Sequence, residues 1–182
     1  DVDAIRADLS EMEDMIDAYL SFAAGEGEEP SQETRIDSML ERLVRQTAKT
    51  HKYDISFKMP DEELPAFLVR QKAIGRAFQN VISNALAYST KTEISLSYRN
   101  DEVTIFFDDN GAGIPLERRA DAIRPFIRLE ESRNRKTGGT GLGLYLCYNL
   151  ITSKLNGTIT CESSEGGGVL FHVSFPIGNK IL

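Results

Sequence analysis

Four short runs of alternating apolar and polar residues constrain this chain most. A period of two suits a strand with one buried face and cannot serve a helix. Ile94-Leu96-Tyr98 and Val103-Ile105-Phe107 flank Asn100-Asp101, which predicts a hairpin. Ile159-Cys161 and Val169-Phe171-Val173-Phe175 flank Glu165-Gly166-Gly167-Gly168 and predict a second. Ile55, Phe57 and Met59 alternate as a further strand, and Phe67 to Val69 reads as another short one. Three segments of helical period precede or separate these strands. Ile36, Met39, Leu40, Leu43 and Val44 mark a helix to about Thr50 with Asp37 as its cap. Ile74, Phe78, Val81, Ile82 and Ala85 mark one from Gln71 to Tyr88, and Leu142 to Leu155 a third that ends at Asn156-Gly157. Hairpin strands interleaved with helices, outside a strict βαβ order, predict an α+β fold in the form of an α/β two-layer sandwich.

A different pattern precedes these elements. Ile5, Leu9, Met12, Ile16, Tyr19 and Ala23 recur in alternating steps of four and three, the seam of a coiled coil or helical bundle. A helix of about 24 residues is about 36 Å long and has no core of its own, so it needs a partner helix. Gly25-Glu26-Gly27-Glu28-Glu29-Pro30 then breaks it and marks a boundary between residues 1–27 and a domain over 30–182. The net charge of −7 divides at the same place: residues 1 to 29 hold ten acidic side chains and only Arg6, while the rest carries a net +2. With 41% hydrophobic and 27% charged residues the chain is neither disordered nor fibrous. Its apolar runs fall short of the roughly 20 residues a membrane span needs, so direct membrane contact is not expected. The acidic start is unlike a signal peptide, and Cys147 and Cys161 form no metal spacing or disulfide framework, which suggests a reducing compartment.

Four segments carry chemistry. Asp109-Asn110-Gly111-Ala112-Gly113-Ile114 follows a strand: its glycines admit close approach of a flat ligand and its carboxylate can accept a hydrogen bond from one. Taken alone it reads equally as a tight turn. Gly138-Gly139-Thr140-Gly141-Leu142-Gly143-Leu144 opens the third helix, where exposed N–H groups and the helix dipole favour an anion. It is neither a dinucleotide fingerprint nor a Walker loop. Asn80 and Asn84 are one turn apart, with Tyr88 a turn further, and their amide oxygens suit either Mg²⁺ held mainly by phosphate and water or a buried capping role. Residues 118 to 136 hold seven basic and three acidic side chains around Pro125-Phe126-Ile127-Arg128, which reads as a lid able to bring Arg to a phosphate or as a solvated loop. Nucleic acid is not expected as a partner, because the chain is acidic and Phe126 alone is an aromatic among the basic residues.

In order, Asn80-Val81-Ile82-Ser83-Asn84-Ala85, Asp109-Asn110-Gly111-Ala112-Gly113-Ile114, Pro125-Phe126-Ile127-Arg128 and Gly139-Thr140-Gly141-Leu142-Gly143-Leu144 resemble the N, G1, F and G2 boxes of sensor histidine kinases. The resemblance implies the GHKL (Bergerat) ATP-binding fold preceded by one long bundle helix, with ATP and Mg²⁺ as ligands. By carry-over, Asn84 would hold Mg²⁺ and Asp109 would accept from the adenine amino group. Asn80 and Tyr88 would line the nucleotide pocket with Gly111, Gly113, Ile114 and Phe126. Arg128 would reach the γ-phosphate, and with Asn80 it would form the catalytic pair, while Gly139, Thr140, Gly141, Leu142, Gly143 and Leu144 would hold phosphates. The acidic arm resembles the second helix of the family's dimerisation and histidine-phosphotransfer bundle, closest to the osmosensing branch. This implies a homodimer through residues 1–24, a response regulator receiver domain as partner, and the cytoplasmic part of a bacterial inner-membrane sensor.

Departures from the pattern bear on function. Ala87 stands where many relatives carry a Lys or Arg, and Ile123 where an aromatic is usual. His51 and His172 are the only histidines, and neither lies in an H-box context. The acceptor and the first bundle helix therefore lie outside this sequence, and structural roles are expected for both histidines. Hydrolases of the same fold place a Glu where Asn80 stands, and an amide cannot act as general base, which favours transfer over hydrolysis. An anti-sigma-type serine kinase and a non-catalytic docking adaptor are the alternatives; the first leaves the heptad arm unexplained and the second the glycine boxes.

Overall fold

Asn100 and Asp101 both adopt the left-handed conformation, with φ of 52° and 60°, the two-residue turn whose twist matches that of the strands it joins. It connects β4 (Lys91–Arg99) to β5 (Glu102–Asp109), paired antiparallel from Arg99↔Glu102 to Thr92↔Asp109. The second expected hairpin joins β6 (Thr158–Ser163) to β7 (Val169–Pro176), and β7 pairs with β5. With β2 (Asp54–Lys58) these make a five-stranded sheet in the order β2-β4-β5-β7-β6. The computed structural model from which these elements are taken describes Ile16 and residues 29–60, 64–125, 127 and 142–177.

Two features depart from the sequence reading. β2 runs parallel to β4, because the helix α2 (Gln71–Tyr88) lies between them in the chain and returns it to the same end of the sheet, so one βαβ unit is embedded in an otherwise antiparallel sheet. A strand with no alternation to reveal it, β1 (Gln32–Thr34), pairs antiparallel with β3 (Phe67–Val69) as a separate two-stranded sheet. Asp37 is likewise not the cap of α1 (Ile36–His51). The N-cap is Arg35, and Asp37 lies buried in the first turn, where its carboxylate accepts from Arg35 at 2.8 Å and from the Ser38 N–H at 2.7 Å. Burial pushes that carboxyl up, and the Arg35 and Ser38 hydrogen bonds outweigh it and hold it below its ordinary value.

Period-two burial places the core. In β5, Val103, Ile105, Phe107 and Asp109 are buried; in β7, Val169, Phe171, Val173 and Phe175 are. Against this face pack Ile36, Met39, Leu40 and Val44 of α1, Ile74, Phe78, Val81 and Ile82 of α2, and Cys147 and Ile151 of α4 (Gly143–Lys154). Phe78 and Phe107 meet at 6.1 Å between ring centroids, which ties helix layer to sheet. The two-layer α+β architecture is as expected. The parity that buries Phe107 also turns Asp109, the last residue of β5, toward the helices.

His51 ends α1 and is exposed, whereas His172 lies on the opposite face of the sheet, edge-on to Phe106 at 4.8 Å. Its Nε2 has no hydrogen-bond partner among the described residues, so the satisfied structural role expected of it is only half met. No helix among the described residues is long and apolar enough to cross a membrane. Of the arm only Ile16 is described, in helical conformation and 54% exposed.

Candidate functional site

Asp109 is 6% exposed and its carboxylate is doubly held: Oδ1 accepts from the Gly111 N–H at 2.8 Å and from the Val169 N–H at 3.2 Å. Both donors fall on one oxygen, which fixes the rotamer and leaves Oδ2 outside these two bonds. The glycines around it are there for space. A Cβ on Gly111 would stand 2.5 Å from the Tyr88 carbonyl oxygen, and one on Gly168 would stand 2.0 Å from the Asp109 carbonyl oxygen and 2.5 Å from its Oδ1. Gly113 has φ of +77° and lies against the Gly167 carbonyl. The Gly166-Gly167-Gly168 turn, read from sequence only as a hairpin connection, therefore forms the back wall of the Asp109 site. Its clue was a run of three glycines where a two-residue turn would need fewer.

Asn110, unassigned in the sequence, holds the other side. Its Oδ1 accepts from the Thr90 and Lys91 N–H groups at 3.0 and 2.9 Å, and its Nδ2 donates to Thr90 Oγ1 at 3.0 Å. This locks the chain leaving α2 to the loop after β5. Tyr53 supports the same corner: its hydroxyl bonds Thr92 Oγ1 at 2.8 Å and also Ser89 Oγ.

Asn80, Asn84 and Tyr88 follow at four-residue steps along α2, the first two half-buried and Tyr88 39% exposed. Asn80 reaches α4: a Cβ on Gly143 would be 3.5 to 3.6 Å from its side chain, so the N-terminus of α4 abuts Asn80. Among the described residues that end of α4 has no side-chain cap, and its first turn holds no acidic residue, so its positive dipole end suits an anion. Leu142, expected among the phosphate-holding residues, is the N-cap and is buried, while Gly143 and Leu144 form the first turn. Phe126, Arg128, Gly139, Thr140 and Gly141 lie outside the described residues.

The basic stretch begins with a 3-10 turn (Leu116–Arg118) and α3 (Arg119–Ala122). Its first three arginines are engaged within the protein. Arg118 and Arg124 pair with Asp121 at 3.4 and 3.2 Å, and Arg119 donates to the Ile114 carbonyl at 3.1 Å and to Ser163 Oγ at 2.6 Å. Arg119 is thus a brace between the Gly113-Ile114 loop and the end of β6, not free lid charge. Burial pushes the thiol of nearby Cys161 up to about 11, with Arg119 lowering it and Asp109 and Glu162 raising it.

No group of three or more His, Cys, Asp or Glu side chains able to hold a metal occurs among the described residues. The donors present at the site are the amide oxygens of Asn80 and Asn84. They suit a divalent cation carried mainly by phosphate and water and do not suit one held by the protein alone.

Known proteins match this arrangement. A family described as histidine kinase-, DNA gyrase B-, and HSP90-like ATPase matches residues 69–179. Sensor protein RstB of Escherichia coli (strain K12) is 32% identical over 187 residues, covering 98% of this chain and 42% of RstB. Sensor histidine kinase CpxA of the same organism is 39% identical over 106 residues, covering 58% of this chain and 23% of CpxA. The chain thus spans less than half the length of these relatives. Among solved structures, the nucleotide-free catalytic domain of histidine kinase ThkA superposes with a TM-score of 0.69 at 22% identity, covering 81% of this chain and 95% of that one, a likeness of fold. The chain belongs to the family of histidine kinase-, DNA gyrase B- and HSP90-like ATPases.

Proposed function

We propose that this domain binds Mg·ATP between α2, the Asp109 loop and the N-terminus of α4, and transfers the γ-phosphoryl group to a histidine outside residues 1–182. The observation that carries the reading is the Asp109 carboxylate, buried at a strand end and pinned through Oδ1 alone. A carboxylate acceptor held in one rotamer among close-packed glycines is what an exocyclic amine on a flat heterocycle requires.

The chain's own residues then divide the work. Asp109 Oδ2 accepts from the adenine amino group; Gly111 and Gly113 let the backbone close on the ring, and Ile114 and Tyr88 flank it. The N–H groups at the start of α4, with Gly139 to Leu144, hold phosphate oxygens. Asn84 supplies an amide oxygen to Mg²⁺, and Asn80, one turn earlier and against Gly143, keeps the phosphate-bearing end of the slot in register with α2. Mg²⁺, when bound, neutralises charge on the triphosphate. Arg128 meets the γ-phosphate from the lid. An imidazole nitrogen of the acceptor attacks phosphorus in line, the N–P bond forms as the bond to the β–γ bridging oxygen breaks, and ADP leaves; positioning and charge neutralisation provide most of the rate. Because residue 80 is an amide with no capacity to take a proton from water, transfer is favoured over hydrolysis.

The acidic heptad arm is the second helix of a dimerisation bundle, and a receiver domain of a response regulator takes the phosphoryl group onward. Relatives named sensor protein and sensor histidine kinase support this, as does the exposed Ile16 on the predicted seam. Titration with a non-hydrolysable ATP analogue, with and without Mg²⁺, tests the site. Binding is expected in the micromolar to millimolar range, weakened at least tenfold in Asn84→Asp; no binding at millimolar analogue refutes the reading. Incubation with ATP and a separately supplied H-box bundle should then place acid-labile label on the bundle.

A further inference from the structure

α2, the helix that carries Asn80 and Asn84, starts without help from its own sequence. Its N-cap is Arg70, which makes no side-chain cap hydrogen bond, and its first turn holds no acidic residue. The acceptor comes instead from Glu29, more than forty residues earlier in the chain: Oε1 accepts from the Lys72 N–H at 2.6 Å and Oε2 from the Ala73 N–H at 3.1 Å. Two carboxylate oxygens on two successive N–H groups form a bidentate cap delivered from a distance. Glu29 is also the penultimate residue of the glycine-containing break between arm and domain, which ends at Pro30 with its restricted φ. Two residues later β1 begins and is hydrogen-bonded to β3 from Gln32↔Val69 onward, directly before α2. The strand ladder holds the chain on one side of Pro30 and the Glu29 carboxylate on the other.

We infer that Glu29 is a positioning residue: by tying the linker to the N-terminus of α2 it sets the direction in which the arm leaves the catalytic domain, while touching neither nucleotide nor acceptor. Upstream of it the sequence holds Gly25 and Gly27, so Glu29 is the last anchored residue between them and β1. Without the tie, the first anchored residue on the domain side of the arm would be Gln32 of β1. The consequence for phosphoryl transfer rests on the function proposed above; the tie itself does not.

Spin labels at Ser21→Cys on the arm and Gln46→Cys on α1, in a Cys161→Ser background, read the arm's direction as a distance distribution. In Glu29→Ala the distribution should broaden, with Glu29→Gln in between, because a neutral amide offers one uncharged acceptor oxygen where the carboxylate offers two charged ones. Amide exchange should lose about fivefold protection at Lys72 and Ala73, the loss expected of one ordinary helix cap, with no change at Asn80 or Asn84. Affinity for the ATP analogue should stay within twofold of wild type. An unchanged distance distribution overturns the inference. So does a parallel loss of analogue affinity, which would make Glu29 a general support of α2 instead. If the wild-type chain binds no analogue, the kinase reading fails while the distance and exchange measurements still decide the tie.

Discussion

Asp109 shows how much one residue's setting depends on neighbours far away in sequence. Its place at a strand end with glycines after it was legible from Asp109-Asn110-Gly111-Ala112-Gly113 alone. That its Oδ1 accepts from Val169, 60 residues later, was not, because strand pairing brings β7 alongside β5 and no local pattern encodes the partner. Gly168 is the test. An alanine there would put Cβ 2.5 Å or less from Asp109 and the Gly111 nitrogen, and these are mostly backbone atoms that cannot swing aside. Gly168→Ala should cost about 1–3 kcal/mol of stability, as overpacking does. It should also weaken ATP-analogue binding at least about tenfold, or about 1.4 kcal/mol. Gly166→Ala, whose Cβ would meet nothing nearer than Ser164 Oγ at 3.4 Å, is the matched control and should bind as wild type. Equal affinity in both variants would remove the turn from the site.

At the scale of elements, periodicity located α1, α2 and α4 to within a residue or two, because each buries a continuous stripe. It missed β1, whose three residues Gln32-Glu33-Thr34 bury only Thr34, and it gave no role to the first arginines of the basic stretch, which the ion pairs with Asp121 and the Arg119 brace engage. Nor did it foresee that α2 borrows its cap. α2 also contains a weakness unrelated to the site: Gly75 lies in its interior with no positive φ, and a Cβ there would meet only Met39 Sδ at 4.0 Å. Gly75→Ala should therefore raise stability by about 0.5–1 kcal/mol, the helix-interior difference between the two residues. Urea unfolding reads this directly as a higher midpoint with an unchanged slope. A lower midpoint would mean that α1 and α2 pack more closely there than a 4.0 Å contact allows.

For the whole molecule the division of charge decides between two places for the arm. Residues 1–29 carry −9 and the remainder +2, with the positive charge concentrated between residues 118 and 136. If the heptad stripe pairs with the same stripe on a second chain, two strongly acidic helices are brought together. Apolar burial drives that association and electrostatics opposes it. Added salt shortens the screening length from about 30 Å at 0.01 M to about 3 Å at 1 M, so the dimer should tighten as salt rises. If the arm instead folds back onto its own basic stretch, electrostatics is the attraction and salt should release it without changing the molecular mass. Sedimentation equilibrium across that salt range separates the cases, with residues 28–182 as the monomeric reference. The expected result is a dimer whose dissociation constant falls with salt and which Leu9→Asp abolishes, since a buried unpaired carboxylate on the seam has no partner to offset its desolvation. A monomer at every salt concentration would refute pairing through the arm and leave the nucleotide site unaffected.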